Sequence, residues 1–123
     1  MSINKLSVAG AGLALLFLSG CAQQPKPLYH WGDYENLLYV MYTEPGSADP
    51  DMQIEKLTAD IQQAHAKDLR IAPGIHAHLG YMYVLKGNLA SAESEFIKEK
   101  QLYPESATFI DGMLARMNKG TES

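Results

Sequence analysis

The 123-residue chain reads as an all-α protein, a short array of helical hairpins about five helices long that follows a cleaved signal segment. Three observations predict this. Apolar residues recur three or four apart in five successive segments, the spacing of one helix face. Helix punctuation falls between those segments, with Pro45, Pro50, Pro73, Gly87-Asn88 and Pro104 at the breaks. No segment shows the strict alternation of a half-buried strand.

Residues 1–20 stand apart from the rest. Lys5 precedes an apolar run from Leu6 to Leu18, and small residues follow. Charged, apolar, then small is the layout of a secretory signal peptide. The run is about a dozen residues, whereas a membrane-spanning helix needs roughly 20. It closes on Leu18-Ser19-Gly20-Cys21, which resembles a bacterial lipoprotein signal. The resemblance implies cleavage before Cys21 and lipid attachment at that residue. Stable anchoring takes about two membrane signals, and a doubly or triply acylated cysteine supplies them. Ala22, where an Asp would favour inner-membrane retention, implies export to the outer membrane. Cys21 is the single cysteine, so acylation leaves no thiol for a disulfide, a nucleophile or a thiolate metal site. Stability then rests on a packed core.

Residues 21–30 read as the lipidated Cys and a tether, with the prolines and glutamines of a semi-extended spacer. Residues 31–118 form the helical domain, and 119–123 a flexible tail. The first helix runs roughly from Gly32 to Tyr42, with Tyr34, Leu37, Leu38 and Met41 on one face. Asp49-Pro50-Asp51 has the order of a helix start, with an N-cap, a proline at the first helical position and an acid in the first turn. The second helix turns Ile54, Leu57, Ile61 and Ala64 inward and Glu55, Lys56, Asp60, Gln62 and Gln63 outward. Pro73 opens the third helix, with Ile75, Leu79, Met82 and Tyr83 inward. The fourth, Leu89 to Leu102, faces inward through Ala92 and Phe96. The fifth begins near Ser106 and carries Phe109, Ile110, Met113, Leu114 and Met117.

Residues Pro73 to Ser106 resemble one tetratricopeptide repeat, a helix–turn–helix unit of about 34 residues. Leu79-Gly80 supplies the large-small pair of its first helix, and Tyr83 follows at the expected spacing. Gly87-Asn88 sits at the turn, Ala92 and Phe96 lie in the second helix, and Pro104 closes the unit. Small residues at 80 and 92 let the helices approach closely. His76 stands where the repeat usually has a large aromatic, and Glu99 where it has a late alanine. Leu114 marks the fifth helix as a cap. Trp31, Leu38 and Ala64 fit a divergent earlier repeat across the first two helices. One repeat cannot bury its own apolar face, whereas two hairpins and a cap can.

The mature chain also resembles a family of small outer-membrane lipoproteins. The carrying residues are Tyr29 to Tyr34, Leu37-Leu38-Tyr39, Glu99 to Ser106, and Phe109-Ile110-Asp111. Members commonly lie beside genes for a CsgG-like outer-membrane lipoprotein. The resemblance implies a role in an envelope complex.

Charge and motifs narrow the chemistry. Ten basic residues less Lys5 leave nine against fourteen acids, a mature net charge of −5. That balance argues against nucleic acid and against charge-driven binding to anionic lipid. His76 and His78 are two apart on a helix, pointing about 200° from one another, so they do not chelate a metal together. No serine sits in a nucleophile motif. Glu93, Glu95, Glu99 and Glu105 alternate with Lys98 and Lys100, the pattern of a solvated face. The expectation is therefore a protein that is not an enzyme and carries no cofactor or metal.

Tyr29, Trp31, Tyr34, Tyr39 and Tyr42 form an aromatic cluster at the start of the domain. Trp31 and Tyr34 staple the first helix, and Tyr39 lies off the buried stripe. Trp and Tyr are favoured anchors at interfaces. Helical-repeat scaffolds line a concave groove with their first helices, so the candidate partner-binding residues are Tyr39, Tyr42, His76 and Tyr83. The reading is a lipid-anchored interaction or assembly factor on the periplasmic side of the outer membrane. Its partner is a protein of the envelope, with a CsgG-like lipoprotein implied by resemblance. A pilotin-like escort for a secretin is the alternative among binding proteins, and an envelope enzyme or metal carrier the alternative from another class.

Overall fold

The computed structural model describes residues 24–121. Cys21 and the signal segment lie outside the described residues. Five helices follow one another: α1 (Tyr34–Thr43), α2 (Pro50–Ala66), α3 (Ile75–Leu85), α4 (Leu89–Leu102) and α5 (Ala107–Thr121). A single 3-10 turn, Pro104–Ser106, connects α4 to α5. The fold is an all-α array in which each helix packs on its chain neighbour, α3 with α4 most extensively.

Local chemistry sets the helix starts. Asp49 is extended and its carboxylate accepts the Met52 N–H at 3.1 Å, while Pro50 occupies the first turn. An N-cap oxygen of this kind satisfies one of the donors that a helix start leaves unpaired. Asn88 does the same for α4, accepting the Ser91 N–H at 3.2 Å. α3 begins at Ile75 rather than Pro73, because Gly74 takes a left-handed conformation and becomes its N-cap.

The core has two parts. Tyr34, Leu37, Leu57, Ala64, Ile71, Ala72, Ile75, Leu79 and Met82 join α1, α2 and α3. Ala92, Phe96 and Ile110 form a smaller cluster between α4 and α5. Tyr83 is half-buried and touches both. Gly80 lies where α3 crosses α4. A Cβ there would sit 2.7 Å from a Phe96 ring carbon and 3.2 Å from the Ala92 carbonyl oxygen. The close approach expected of Gly80 and Ala92 is present.

Four sequence expectations are corrected. β1 (Tyr29–His30) and β2 (Arg70–Ile71) form a parallel pair, Tyr29 against Arg70 and His30 against Ile71. Two residues per strand cannot display an alternating period, which is why no strand was legible. The pair also takes Tyr29 and His30 out of the tether, and His30 is buried. Asp60, read as outward-facing, is buried as well, and accepts the Asp33 N–H at 3.0 Å. It fits because Gly32 has φ +54° and no side chain; a Cβ there would fall 2.0 Å from an Asp60 oxygen. Burial raises the Asp60 pKa above the usual carboxylate range. Finally, α5 continues through residues 119–121, part of the expected tail.

Candidate protein-docking groove

α1, α3 and α5 present side chains to one open pocket of about 410 Å³. α1 contributes Tyr34, Leu38, Met41 and Tyr42. The start of α3 contributes Gly74, Ala77, His78 and Tyr81, and α5 contributes Phe109 and Met113. α2 and α4 supply no lining residue. The helical period explains the set: positions 34, 38, 41 and 42 share one face of α1, as 77, 78 and 81 do on α3. A second cleft of about 240 Å³ shares Tyr81 and Met113 and continues past Val84 and Met117 to Arg116. The two clefts adjoin at Tyr81 and Met113, between α3 and α5.

Its rim is aromatic and exposed. Tyr42 is 78% accessible, Phe109 59% and Tyr81 42%. Its floor is polar but neutral. Tyr34 is buried, stacks on Trp31 with ring centroids 6.4 Å apart, and meets the His78 ring edge-on at 5.7 Å. Burial, and next the charge of Glu99, raises the Tyr34 pKa, so the phenol keeps its proton. Burial lowers the His78 pKa, which favours neutral imidazole. The Gln53 amide nitrogen donates to the Ala48 carbonyl, so its oxygen is the acceptor for His78 Nε2 at 2.8 Å. That arrangement places the His78 proton on Nε2.

Behind the groove, α3 and α4 share a polar seam. His76 Nδ1 donates to a Glu95 oxygen at 2.6 Å, and Lys98 Nζ meets the other oxygen at 2.6 Å. Desolvation pushes the Glu95 pKa up, but the His76 and Lys98 hydrogen bonds outweigh it and the net shift is downward. Glu99 reaches back to the start of α3, accepting the Gly74 N–H at 2.7 Å and the Ala77 N–H at 3.3 Å. An anion there meets both the unpaired donors and the positive end of the helix dipole. Glu95 and Glu99 are buried, so the solvated-face reading of these two acids is corrected. Glu99 stands at the alanine position of the repeat pattern because it caps a neighbouring helix.

The four candidate residues separate. Tyr42 lines the groove. Tyr39 is 65% exposed on α1 but lies outside the lining. His76 is 4% exposed and belongs to the seam, so it is not a groove residue. Tyr83 is half-buried in the core and does not line the pocket. Cys21 lies outside the described residues. The sequence reading did not name Tyr81, Phe109 or Met113 as groove residues. The available signal was the width of the apolar surface on α5, where Phe109 is 59% exposed beside the buried Ile110 and Met113 packs against the Ile110 cluster from the groove side.

No group of three or more His, Cys, Asp or Glu side chains suited to a metal ion occurs among the described residues. No helix among them is long and apolar enough to cross a membrane.

Fold and groove together define a small helical-hairpin array with an open apolar cleft on the side of its odd-numbered helices. Residues 28–113 match the family described as a domain of unknown function, DUF4810, and the chain belongs to that family. No curated protein and no solved structure matches the chain.

Proposed function

We propose that this protein is a non-enzymatic docking factor, anchored through Cys21 to the periplasmic side of the outer membrane, that holds a helical or extended segment of another envelope protein in the α1/α3/α5 groove. The observation that carries this reading is the groove, where the exposed rings of Tyr42, Tyr81 and Phe109 line one cleft with the half-buried Met113. Aromatic residues and methionine are enriched at the cores of protein interfaces, where charged residues are depleted. Two adjoining clefts along α3 and α5 suit the helix-in-groove mode of recognition. The Leu-Ser-Gly-Cys signal supports the anchor and the outer-membrane address. The family resemblance supports a CsgG-like lipoprotein system as the setting.

Two experiments test this. Cys21→Ser should leave the domain folded but release it from outer membranes; mutant protein that remains there after partner deletion contradicts the anchor. Cross-linked recovery from intact envelope should yield a discrete partner with wild-type protein and lose it with Tyr42→Ala/Phe109→Ala. Undiminished recovery with that folded double variant contradicts the groove.

A further inference from the structure

The first described residues do not leave the domain freely. Lys26 Nζ donates to the Asp68 carbonyl oxygen at 3.0 Å and lies 3.9 Å from its carboxylate. Lys26, Pro27 and Leu28 share a shallow cleft with Asp68, Leu69 and Arg70. Tyr29 and His30 then pair with Arg70 and Ile71. The chain entering from Cys21 is thus held along the loop between α2 and β2. Cys21 precedes Lys26 by five residues, a reach of at most roughly 18 Å at full extension.

The surface at this end has its own chemistry. Leu28 is 61% exposed and Trp31 41%. Trp31 meets Tyr29 edge-on at 6.1 Å, and Tyr29 lies 6.4 Å from Tyr103. The Arg70 guanidinium sits over both tyrosine rings, at 5.3 and 5.8 Å. Lys67 is exposed on the same loop, and Lys26 offsets the one carboxylate there, Asp68. Trp and Tyr rings belong at membrane–water interfaces, and Lys and Arg stems lie along apolar surface with their charges at headgroup level. The chain as a whole is acidic, so this cationic loop is a local departure from its charge balance.

We propose that this end of the domain, with Leu28, Trp31, Lys67 and Arg70, lies against the headgroups of a phospholipid bilayer, and that the Tyr29–His30 pairing is a brace that fixes the domain's orientation on the membrane. The inference rests on the lipid anchor at Cys21 proposed above. It adds a second, protein-made contact and a direction. Tyr42 lies eight residues beyond Tyr34 on α1, about 12 Å along the helix, so the exposed rim at Tyr42 stands apart from Trp31, which stacks on Tyr34.

The test uses the acylated protein purified from bacterial membranes and reconstituted in vesicles of phosphatidylethanolamine and phosphatidylglycerol. Trp31 is the single tryptophan, so its emission reports this surface alone. Flotation with the vesicles is measured first; protein that fails to float overturns the anchor and this inference with it. For floating protein, the expected result is a Trp31 emission blue-shifted relative to lipid-free Cys21→Ser protein, lost to brominated acyl chains and shielded from acrylamide. Floating protein whose Trp31 emission matches the lipid-free form, and stays open to acrylamide, overturns the bilayer contact while leaving the anchor standing. A second variant, Trp31→Phe with Tyr42→Trp, moves the sole indole to the groove rim. Its emission should stay open to acrylamide; bromolipid quenching equal to that of Trp31 overturns the fixed orientation.

Discussion

Helix α3 has two unlike sides. Toward α4 it meets a seam of buried acids and a histidine, each with a partner: His76 with Glu95, Glu95 with Lys98, and Glu99 with two backbone N–H groups of α3 itself. Toward α1 and α5 it meets an apolar groove whose rim residues Tyr42, Tyr81 and Phe109 stand open to solvent. The usual distribution places charge outside and large apolar groups inside. Here charge is drawn in to hold two helices in register, and apolar area is left where a second protein can cover it. The seam should therefore govern stability, and the groove should govern association.

Gly80→Leu attacks the seam side most severely. Even a Cβ is too close to the ring of Phe96, which is fully buried, and to the Ala92 backbone carbonyl. Overpacking of this kind costs about 3 kcal/mol. The melting temperature should fall by more than about 10 °C. A shift under about 2 °C would remove the close α3–α4 contact from the account.

Glu99→Ala is the next step down. It leaves the Gly74 and Ala77 N–H groups without their acceptor, a loss of about 2 kcal/mol. Chemical denaturation should report it as a lower midpoint at unchanged slope. Wild-type stability would mean that Glu99 is not the cap of α3.

Acid should expose the same difference. The His78 pKa is held down by burial, so the unfolded chain takes up that proton first as pH falls. Its stabilising contribution is present above the ordinary histidine value of about 6.5 and is lost as pH drops below it. Glu95, with a net lowered pKa, loses its contribution at still lower pH, whereas Asp60, with a raised one, opposes the loss there. Between about pH 7.5 and about pH 5.5, thermal melts of wild type should shift downward, and those of His78→Gln should shift less. Equal shifts in the two proteins would remove His78 from the acid response.

The groove side should respond oppositely. Tyr42→Ala changes stability by no more than about 0.5 kcal/mol, because the ring is largely exposed. It should nevertheless weaken partner recovery, since an aromatic anchor contributes about 2 kcal/mol or more to binding. Tyr39→Ala, one turn away and outside the lining, should change both least. If Tyr39→Ala alone abolishes recovery, the docking surface lies on the outer side of α1.

The same contrast decides what was legible in the sequence. Asp49-Pro50, Asn88 and the apolar period of each helix are local signals, and they locate the helices and the Gly80 contact. Asp60, Glu95 and Glu99 were read as surface charge because their partners are distant in the chain. His76 is 19 residues from Glu95, and Gly74 is 25 from Glu99. A buried charge looks like an exposed one until its partner is known. The β1–β2 pair escaped for a related reason, with two short segments paired across the whole of α1 and α2. The groove was half legible: its helices and Tyr42 follow from the hairpin pattern, whereas Tyr81 and Phe109 needed the packing of α5.

Site-specific photocross-linking in intact envelope tests the central claim most directly. A benzophenone side chain is placed at position 42, on the groove rim, or at position 93, on the outward side of α4. Position 42 should give one discrete adduct that disappears with Phe109→Ala, and position 93 should give none. An adduct at 93, or one at 42 that persists unchanged with Phe109→Ala, would contradict docking in the α1/α3/α5 groove.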